Sequence, residues 1–156
     1  MSITVPFDLT YEFEVKARAA EVFGVLADVP TSASFFPKVD RLVALGDNTF
    51  RWELQKVGTA QVGIQTIYAS KYVSDAKKGT VVWTPVKGVG NGLVGGSWTL
   101  QDRKKSTHVV LDIQGEITVP LPALMKMVVV PIVTSENEKL IEKYLANLVK
   151  RFGGEV

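Results

Sequence analysis

The sequence predicts an α+β fold in which a curved, seven-stranded antiparallel sheet wraps around a long C-terminal helix. Three observations predict it: strict apolar alternation through residues 3–15, turn signals that divide residues 39–119 into six further strands, and a helical apolar stripe near the C-terminus. A sheet with one dry face needs a covering layer, and the last helix offers a matching face. We place residues 1–156 in one domain, a usual length for a single core.

The first strand is indicated by seven apolar residues at every odd position from Ile3 to Val15. Because successive strand side chains point to opposite faces, one face is dry and the other wet. A slip of one residue would expose all seven, at about 1.5–3 kcal/mol for each large side chain. The register of this strand is therefore fixed.

Two short helices are expected after the first strand, where the apolar period changes. Four apolar residues follow the spacing i, i+3, i+4, i+7 of one helix face. They are Ala19, Val22, Phe23 and Leu26. Residues 31–36, between two prolines, predict a second short helix or a turn, and its Phe35 and Phe36 must insert into an apolar region.

Six further strands are expected between residues 39 and 119. Turn-forming residues separate them at 46–48, 58–59, 75–79, 88–92 and 102–106. Short loops between successive strands favour an antiparallel meander. For the strands at 39–45 and 80–86, the periodicity alone does not show which face points towards the core.

The C-terminal helix is expected to begin at a capping box, Ser135 with Glu138, and to end at Gly153. Its apolar stripe comprises Leu140, Ile141, Tyr144, Leu145, Leu148, Val149 and Phe152. Residues 121–130 predict one or two earlier helical turns, ended by Pro131.

Several segments together resemble one known family. They are residues 15–29 (VKARAAEVFGVLADV), Phe35-Phe36-Pro37, Trp83, Gly-Ser-Trp at 96–98 and the closing helix. In these residues and in element order the chain resembles the START-like (SRPBCC) superfamily with its helix-grip fold. The most similar members are those that resemble polyketide cyclases and the G-type subunit of carbon monoxide dehydrogenase. The resemblance implies a cavity for lipids, sterols, polyketides, hormones or quinones, and leaves the activity open because only a minority of members catalyse ring closure or dehydration.

Hydroxyl groups are expected on the inner face of one predicted strand. Six residues share that face, namely Val62, Ile64, Thr66, Tyr68, Ser70 and Tyr72. The four hydroxyls either hydrogen-bond a ligand or satisfy one another. Tyr68 and Tyr72 are also the candidates for catalysis, as acid or base.

The remaining candidate ligand contacts are large apolar or flexible side chains. They are Phe50, Trp52 and Trp98 on strand faces, Met125 and Val129 in a deformable lip over the entrance, and Tyr144 on the final helix. The alternative for each is plain packing of the core.

Composition and spacing exclude several classes of site. The chain has no cysteine and one histidine, so disulfides, thiolate nucleophiles and multi-histidine metal sites are excluded. With 18 basic and 16 acidic residues, nothing favours nucleic acid as a partner. The G-x-G-x-x-G match at residues 90–95 leads into a strand, which indicates a hairpin with an Asn-Gly turn rather than a nucleotide site. No metal or cofactor is expected, and His108 falls on the wet face.

The N-terminal residues lack the basic and apolar regions of a secretory signal, and residues 119–133 are too short and too interrupted to span a bilayer. We therefore expect a cytoplasmic protein.

The leading hypothesis for function is a non-catalytic carrier or sensor of a small hydrophobic molecule held between sheet and helix. The second is a cyclase- or dehydratase-type enzyme, disfavoured because the pattern places no Lys, His or carboxylate beside the tyrosines. The third is an accessory factor that makes transient contact with a membrane or an enzyme through residues 121–133.

Overall fold

The computed structural model describes residues 2–58 and 63–156. Within these residues the chain forms nine strands and three α-helices. The strands are β1 (Ile3–Val15), β2 (Val39–Gly46), β3 (Thr49–Leu54), β4 (Val57–Gly58), β5 (Gly63–Ile64), β6 (Ile67–Asp75), β7 (Thr80–Val86), β8 (Gly92–Asp102) and β9 (Thr107–Val119). The helices are α1 (Ala19–Ala27), α2 (Val29–Ala33) and α3 (Lys126–Arg151), the last preceded by a 3-10 turn (Ala123–Met125).

The main sheet has seven antiparallel strands in the order β1-β9-β8-β7-β6-β3-β2. This order, with two short helices after β1 and a long helix at the end, confirms the predicted α+β helix-grip fold. β1 pairs with β9 over its whole length without a slip, from Ile3 opposite Val119 to Val15 opposite Thr107. The stripe of α3 is buried at five positions, Leu140, Ile141, Tyr144, Leu145 and Leu148, so this helix closes the core.

The strand predicted between the turn signals at 58–59 and 75–79 begins later than its apolar pattern suggests. β6 begins at Ile67, whereas Gly63 and Ile64 pair with β4 in a separate two-stranded sheet. Thr66 therefore precedes the strand, and Val62, which the pattern placed on the same face, lies outside the described residues.

Asn91 fixes the point at which β6 begins. Its Oδ1 accepts a hydrogen bond from the Ile67 N–H (2.8 Å), and its own N–H donates to the Ile67 carbonyl (2.9 Å). Its Nδ2 donates to the carbonyls of Gln65 and Thr118 at 2.9 and 3.0 Å. A Cβ on the neighbouring Gly90 (φ +66°) would lie 2.1 Å from the Ile67 oxygen, so glycine is required there. The first glycine of the G-x-G-x-x-G match thus allows the close approach of this loop to β6.

α3 begins nine residues before the predicted capping box and continues through Pro131, so the prediction of a cap at Ser135 was wrong. Proline inside a helix costs about 3 kcal/mol because a hydrogen bond is lost. Val129 and Val133 lie one turn apart on either side of the proline, and both are buried. They pack in a cluster with Ile3, Val5, Ile64, Ile117 and Val119. Burial of two valines on this scale offsets the cost of the proline.

Among the described residues, no helix has the length and mean hydropathy needed to cross a bilayer.

Candidate ligand-binding site

Seven aromatic side chains surround a cavity between the sheet, the two short helices and α3. They come from six different parts of the fold. They are Phe36 after α2, Trp52 on β3, Tyr68 and Tyr72 on β6, Trp83 on β7, Trp98 on β8 and Tyr144 on α3. All three tryptophans of the chain are therefore in this wall.

The aromatic rings form a closed series. Successive ring centroids lie 5.1–6.4 Å apart along the order Trp52, Phe36, Tyr144, Trp98, Trp83 and Tyr72. The Nε1–H of Trp52 donates to the Tyr72 hydroxyl at 3.0 Å and closes the loop. Tyr68 stacks on Trp52, with centroids 5.9 Å apart and planes 11° from parallel. We call this set of seven side chains the aromatic cluster.

A second cavity adjoins the first. The two share four lining side chains, Phe36, Tyr68, Ile113 and Ile141. Because these four belong to both walls, a single layer of side chains separates the cavities. The second cavity extends towards Thr66 and towards Glu136 and Asn137 of α3.

Both cavities are small. Each has a cavity volume of about 40 Å³, which is room for a few waters. The sequence predicted a ligand-sized space between sheet and helix. The space in the structure is smaller, because the side chains of the aromatic cluster occupy most of it. A ligand of typical organic size must therefore displace lining side chains.

Three tyrosine hydroxyls reach the first cavity in different ways. The Tyr72 hydroxyl accepts from Trp52, and the Tyr144 hydroxyl is hydrogen-bonded to the Ser32 hydroxyl. The Tyr68 hydroxyl has no hydrogen-bond partner among the described residues. It is not fully buried either, because every fully buried polar side-chain atom in the described part of the chain has a partner. With respect to the described residues, the Tyr68 hydroxyl is therefore available to donate to a ligand.

Burial raises the pKa of all three tyrosines above the usual value. The neighbouring tyrosines raise the pKa of Tyr68 further, whereas the hydrogen bonds from Trp52 and Ser32 partly oppose the rise for Tyr72 and Tyr144. At neutral pH the three side chains are uncharged donors. None of them is a tyrosinate base.

The raised pKa values predict loss of stability at high pH. A folded-state pKa above the unfolded one gives stability that is complete below about pH 10 and is lost as the pH rises further. For Tyr68, Tyr72 and Tyr144 the free energy of unfolding should fall by about 4 kcal/mol per pH unit above the unfolded pKa. Denaturant titrations at several pH values measure it, and Tyr144→Phe should reduce the slope by about a third. Three tyrosinates forming in the folded protein near pH 10 would contradict this account.

Most of the candidate contacts chosen from the sequence lie together. Five line the first cavity, namely Trp52, Tyr68, Tyr72, Trp98 and Tyr144. Thr66 lines the second.

The structure does not bring the other four candidates to these cavities. Ser70 is fully buried, and its hydroxyl donates to the Val94 carbonyl at 2.8 Å, so it ties β6 to β8. Phe50 touches the Tyr72 ring, with centroids 6.0 Å apart, but lies in two outer grooves. Met125 and Val129 pack in the cluster around Val133, which borders the second cavity, but neither of them lines it.

Sequence reasoning missed several lining residues. Trp83 lies on a strand whose face the pattern did not orient, and Phe36 was expected in an apolar region that could not be identified. No pattern distinguishes Ser32 or Glu136 from ordinary surface residues.

The outer face of the sheet carries a histidine beside a glutamate, away from the cavities. His108 Nε2 lies 2.7 Å from Glu12 Oε1 and lines neither cavity. Within residues 2–58 and 63–156, no group of three His, Asp or Glu side chains is placed to hold a metal ion.

Comparisons with known proteins agree with this architecture. A family profile described as polyketide cyclase / dehydrase and lipid transport matches residues 6–153. No curated protein sequence matches the chain. Similar solved structures confirm the predicted START-like fold, and at these identities they show the fold alone.

Three of those structures illustrate the range. The Zhui aromatase/cyclase from a Streptomyces species is 17% identical, with 95% of this chain and 94% of that chain covered and a TM-score of 0.69. A START superfamily protein from Mycobacterium smegmatis is 14% identical, with coverage of 94% and 97% and a TM-score of 0.68. Norcoclaurine synthase from Thalictrum flavum is 14% identical, with coverage of 94% and 86% and a TM-score of 0.59.

Proposed function

Because the chain belongs to the polyketide cyclase / dehydrase and lipid transport family, we propose that it binds a small hydrophobic molecule between the sheet and α3, as a carrier or sensor. The observation that carries the proposal is the aromatic cluster around a cavity with no charged lining residue in the described chain. Apolar surface buried there contributes about 25 cal/mol per Å² to binding. Such a site favours flat or lipid-like ligands of low charge.

The available donor of Tyr68 supports an orienting role for this residue. A ligand carbonyl or hydroxyl oxygen that accepts a hydrogen bond from the Tyr68 hydroxyl would be fixed relative to the aromatic cluster. Tyr68 is also shared by both cavities, so a ligand that extends through them passes this hydroxyl. Displacement of the shared layer of Phe36, Tyr68, Ile113 and Ile141 would join the two cavities into one site.

Native mass spectrometry tests the proposal. Purified protein is incubated with a lipid extract and with a panel of polycyclic phenols and quinones, and we expect a one-to-one complex with at least one class. Tyr68→Phe should weaken ligands that carry an oxygen acceptor by about tenfold and leave pure hydrocarbons unchanged. Folded protein that stays unliganded across all classes would count against the proposal.

An enzymatic role is a second candidate, supported by one observation. Tyr68 and the carboxylate of Glu136 line the same cavity, so an acid and a base are available to a cyclisation or dehydration. The raised pKa of Tyr68 makes it a weak acid, which favours binding over catalysis. Incubation with a reactive β-polyketone distinguishes the two roles: a carrier returns it unchanged, and an enzyme releases a cyclised product at a rate that Glu136→Gln abolishes.

Membrane contact is proposed as the way in which a carrier collects a lipid-like ligand. Leu124 and Met127 are 88% and 89% exposed, and Val128 is 51% exposed. They lie in the 3-10 turn and the first turn of α3, and we call residues 124–128 the tip. Lys126 is the one charged residue between Glu116 and Glu136, so this tip carries no acidic group. Three projecting side chains are far fewer than the roughly 20–30 residues per side of a stable protein interface, whereas they suit insertion into a bilayer surface.

Vesicle flotation tests the contact. The protein should float with vesicles that contain anionic lipid, and Leu124→Asp with Met127→Asp should abolish flotation. Val73→Asp is the matched control, because Val73 is also an apolar side chain at the surface (63% exposed) but lies on β6. Equal flotation of both variants would contradict a contact through the tip.

A further inference from the structure

Glu136 is the one charged side chain that lines either cavity in the described part of the chain. It lies on α3, in the wall of the second cavity with Asn137, Thr66 and Tyr68. The first cavity is aromatic and, among the described residues, uncharged. Taken together, the two cavities therefore have an apolar end and an acidic end.

No cation among the described wall residues neutralises this carboxylate. The Nζ of Lys139 lies 3.8 Å from Glu136 Oε1, three residues along the same helix, and the Lys139 side chain is 71% exposed. Such a surface pair is weak and screened by solvent. Lys139 lines neither cavity, whereas the Glu136 side chain is only 24% exposed. A negative charge thus remains available to a ligand in the second cavity.

The chemistry of the two ends selects the polar group of a ligand. A ligand carboxylate would be removed from water without a cation to pair with, and it would meet the like charge of Glu136. An ammonium or a hydroxyl group can instead donate a hydrogen bond to Glu136, and a bond to a charged acceptor is stronger than a neutral one.

We propose, on the basis of the function proposed above, that the ligand has an apolar body and a hydrogen-bond-donating head, an ammonium or hydroxyl group, bound by Glu136. Carboxylate-bearing molecules such as free fatty acids are rejected. Glu136 is therefore the residue that sets the selectivity of the site.

Three ligands with one body test the inference by calorimetry: 2-naphthylmethylamine, 2-naphthalenemethanol and 2-naphthoate. The amine and the alcohol should bind, and the carboxylate should bind at least about tenfold more weakly. In Glu136→Gln the affinity for the amine should fall by about tenfold, and its advantage over the carboxylate should shrink.

Glu138→Gln is the matched control, because it removes the same charge two residues along α3 from a side chain that lines neither cavity. It should leave all three affinities unchanged. Equal binding of the three ligands, or equal effects of the two variants, would overturn the role of Glu136 and leave the proposed function standing. Failure of all three ligands to bind would instead argue against the proposed function itself.

Discussion

Ile113→Trp should abolish ligand binding while the protein stays folded. Ile113 lies on β9 in the layer that the two cavities share, and its side chain is only partly buried. An indole at this position would fill the space that a ligand needs to join the cavities. We expect the affinity for any ligand found by mass spectrometry to fall by at least about 100-fold.

The cost to stability should be tolerable. Overpacking costs about 1–3 kcal/mol, against the roughly 5–15 kcal/mol by which a typical domain is stable. Val82→Trp is the matched control, since Val82 is an exposed residue of β7 and faces away from the cavities. Full ligand binding by folded Ile113→Trp would show that the ligand lies elsewhere.

Gly96→Ala should cause a large loss of stability, because the added methyl group has no room in the sheet. A Cβ at Gly96 would lie 2.3 Å from the Asp112 carbonyl oxygen and 2.8 Å from Cζ2 of Trp83. The first neighbour is backbone of β9, so the paired strands must move apart. The second neighbour belongs to the aromatic cluster. We expect the free energy of unfolding to fall by about 3 kcal/mol, measured by denaturant titration.

Gly24→Ala provides the opposite expectation within the same chain. Gly24 lies in the middle of α1, and a Cβ there would meet nothing within 4 Å. Alanine in a helix interior is more stable than glycine by about 0.5–1 kcal/mol, so this variant should be stabilised. A similar loss in both variants would mean that glycine flexibility, rather than the close approach at Gly96, governs the result.

The fold was predictable where one pattern dominates. The odd-position alternation of β1 required a strand in a single register, because any other register exposes every large apolar residue. Helix boundaries were less predictable, since α3 depends on the burial of Val129 and Val133 against strands that are distant in sequence. A proline in the sequence gives no sign that tertiary packing offsets its cost.

The site was predictable only for residues on strands with clear alternation. Tyr68 and Tyr72 lie four apart on one strand, so their common face follows from period two. The wall also needs Phe36 and Ser32, which reach the cavity through a turn and a five-residue helix without periodicity. Glu136 could not be recognised, because its position in a cavity wall depends on how α3 is rotated against the sheet.

Tryptophan fluorescence during titration with a brominated long-chain alcohol tests the central claim most directly, since Trp52, Trp83 and Trp98 all line the first cavity. Bromine quenches indole at short range, so a ligand among these rings should quench the emission in a saturable curve with one molecule per protein. Quenching that rises linearly without saturation, in protein that still unfolds cooperatively, would show that no apolar ligand enters between the sheet and α3.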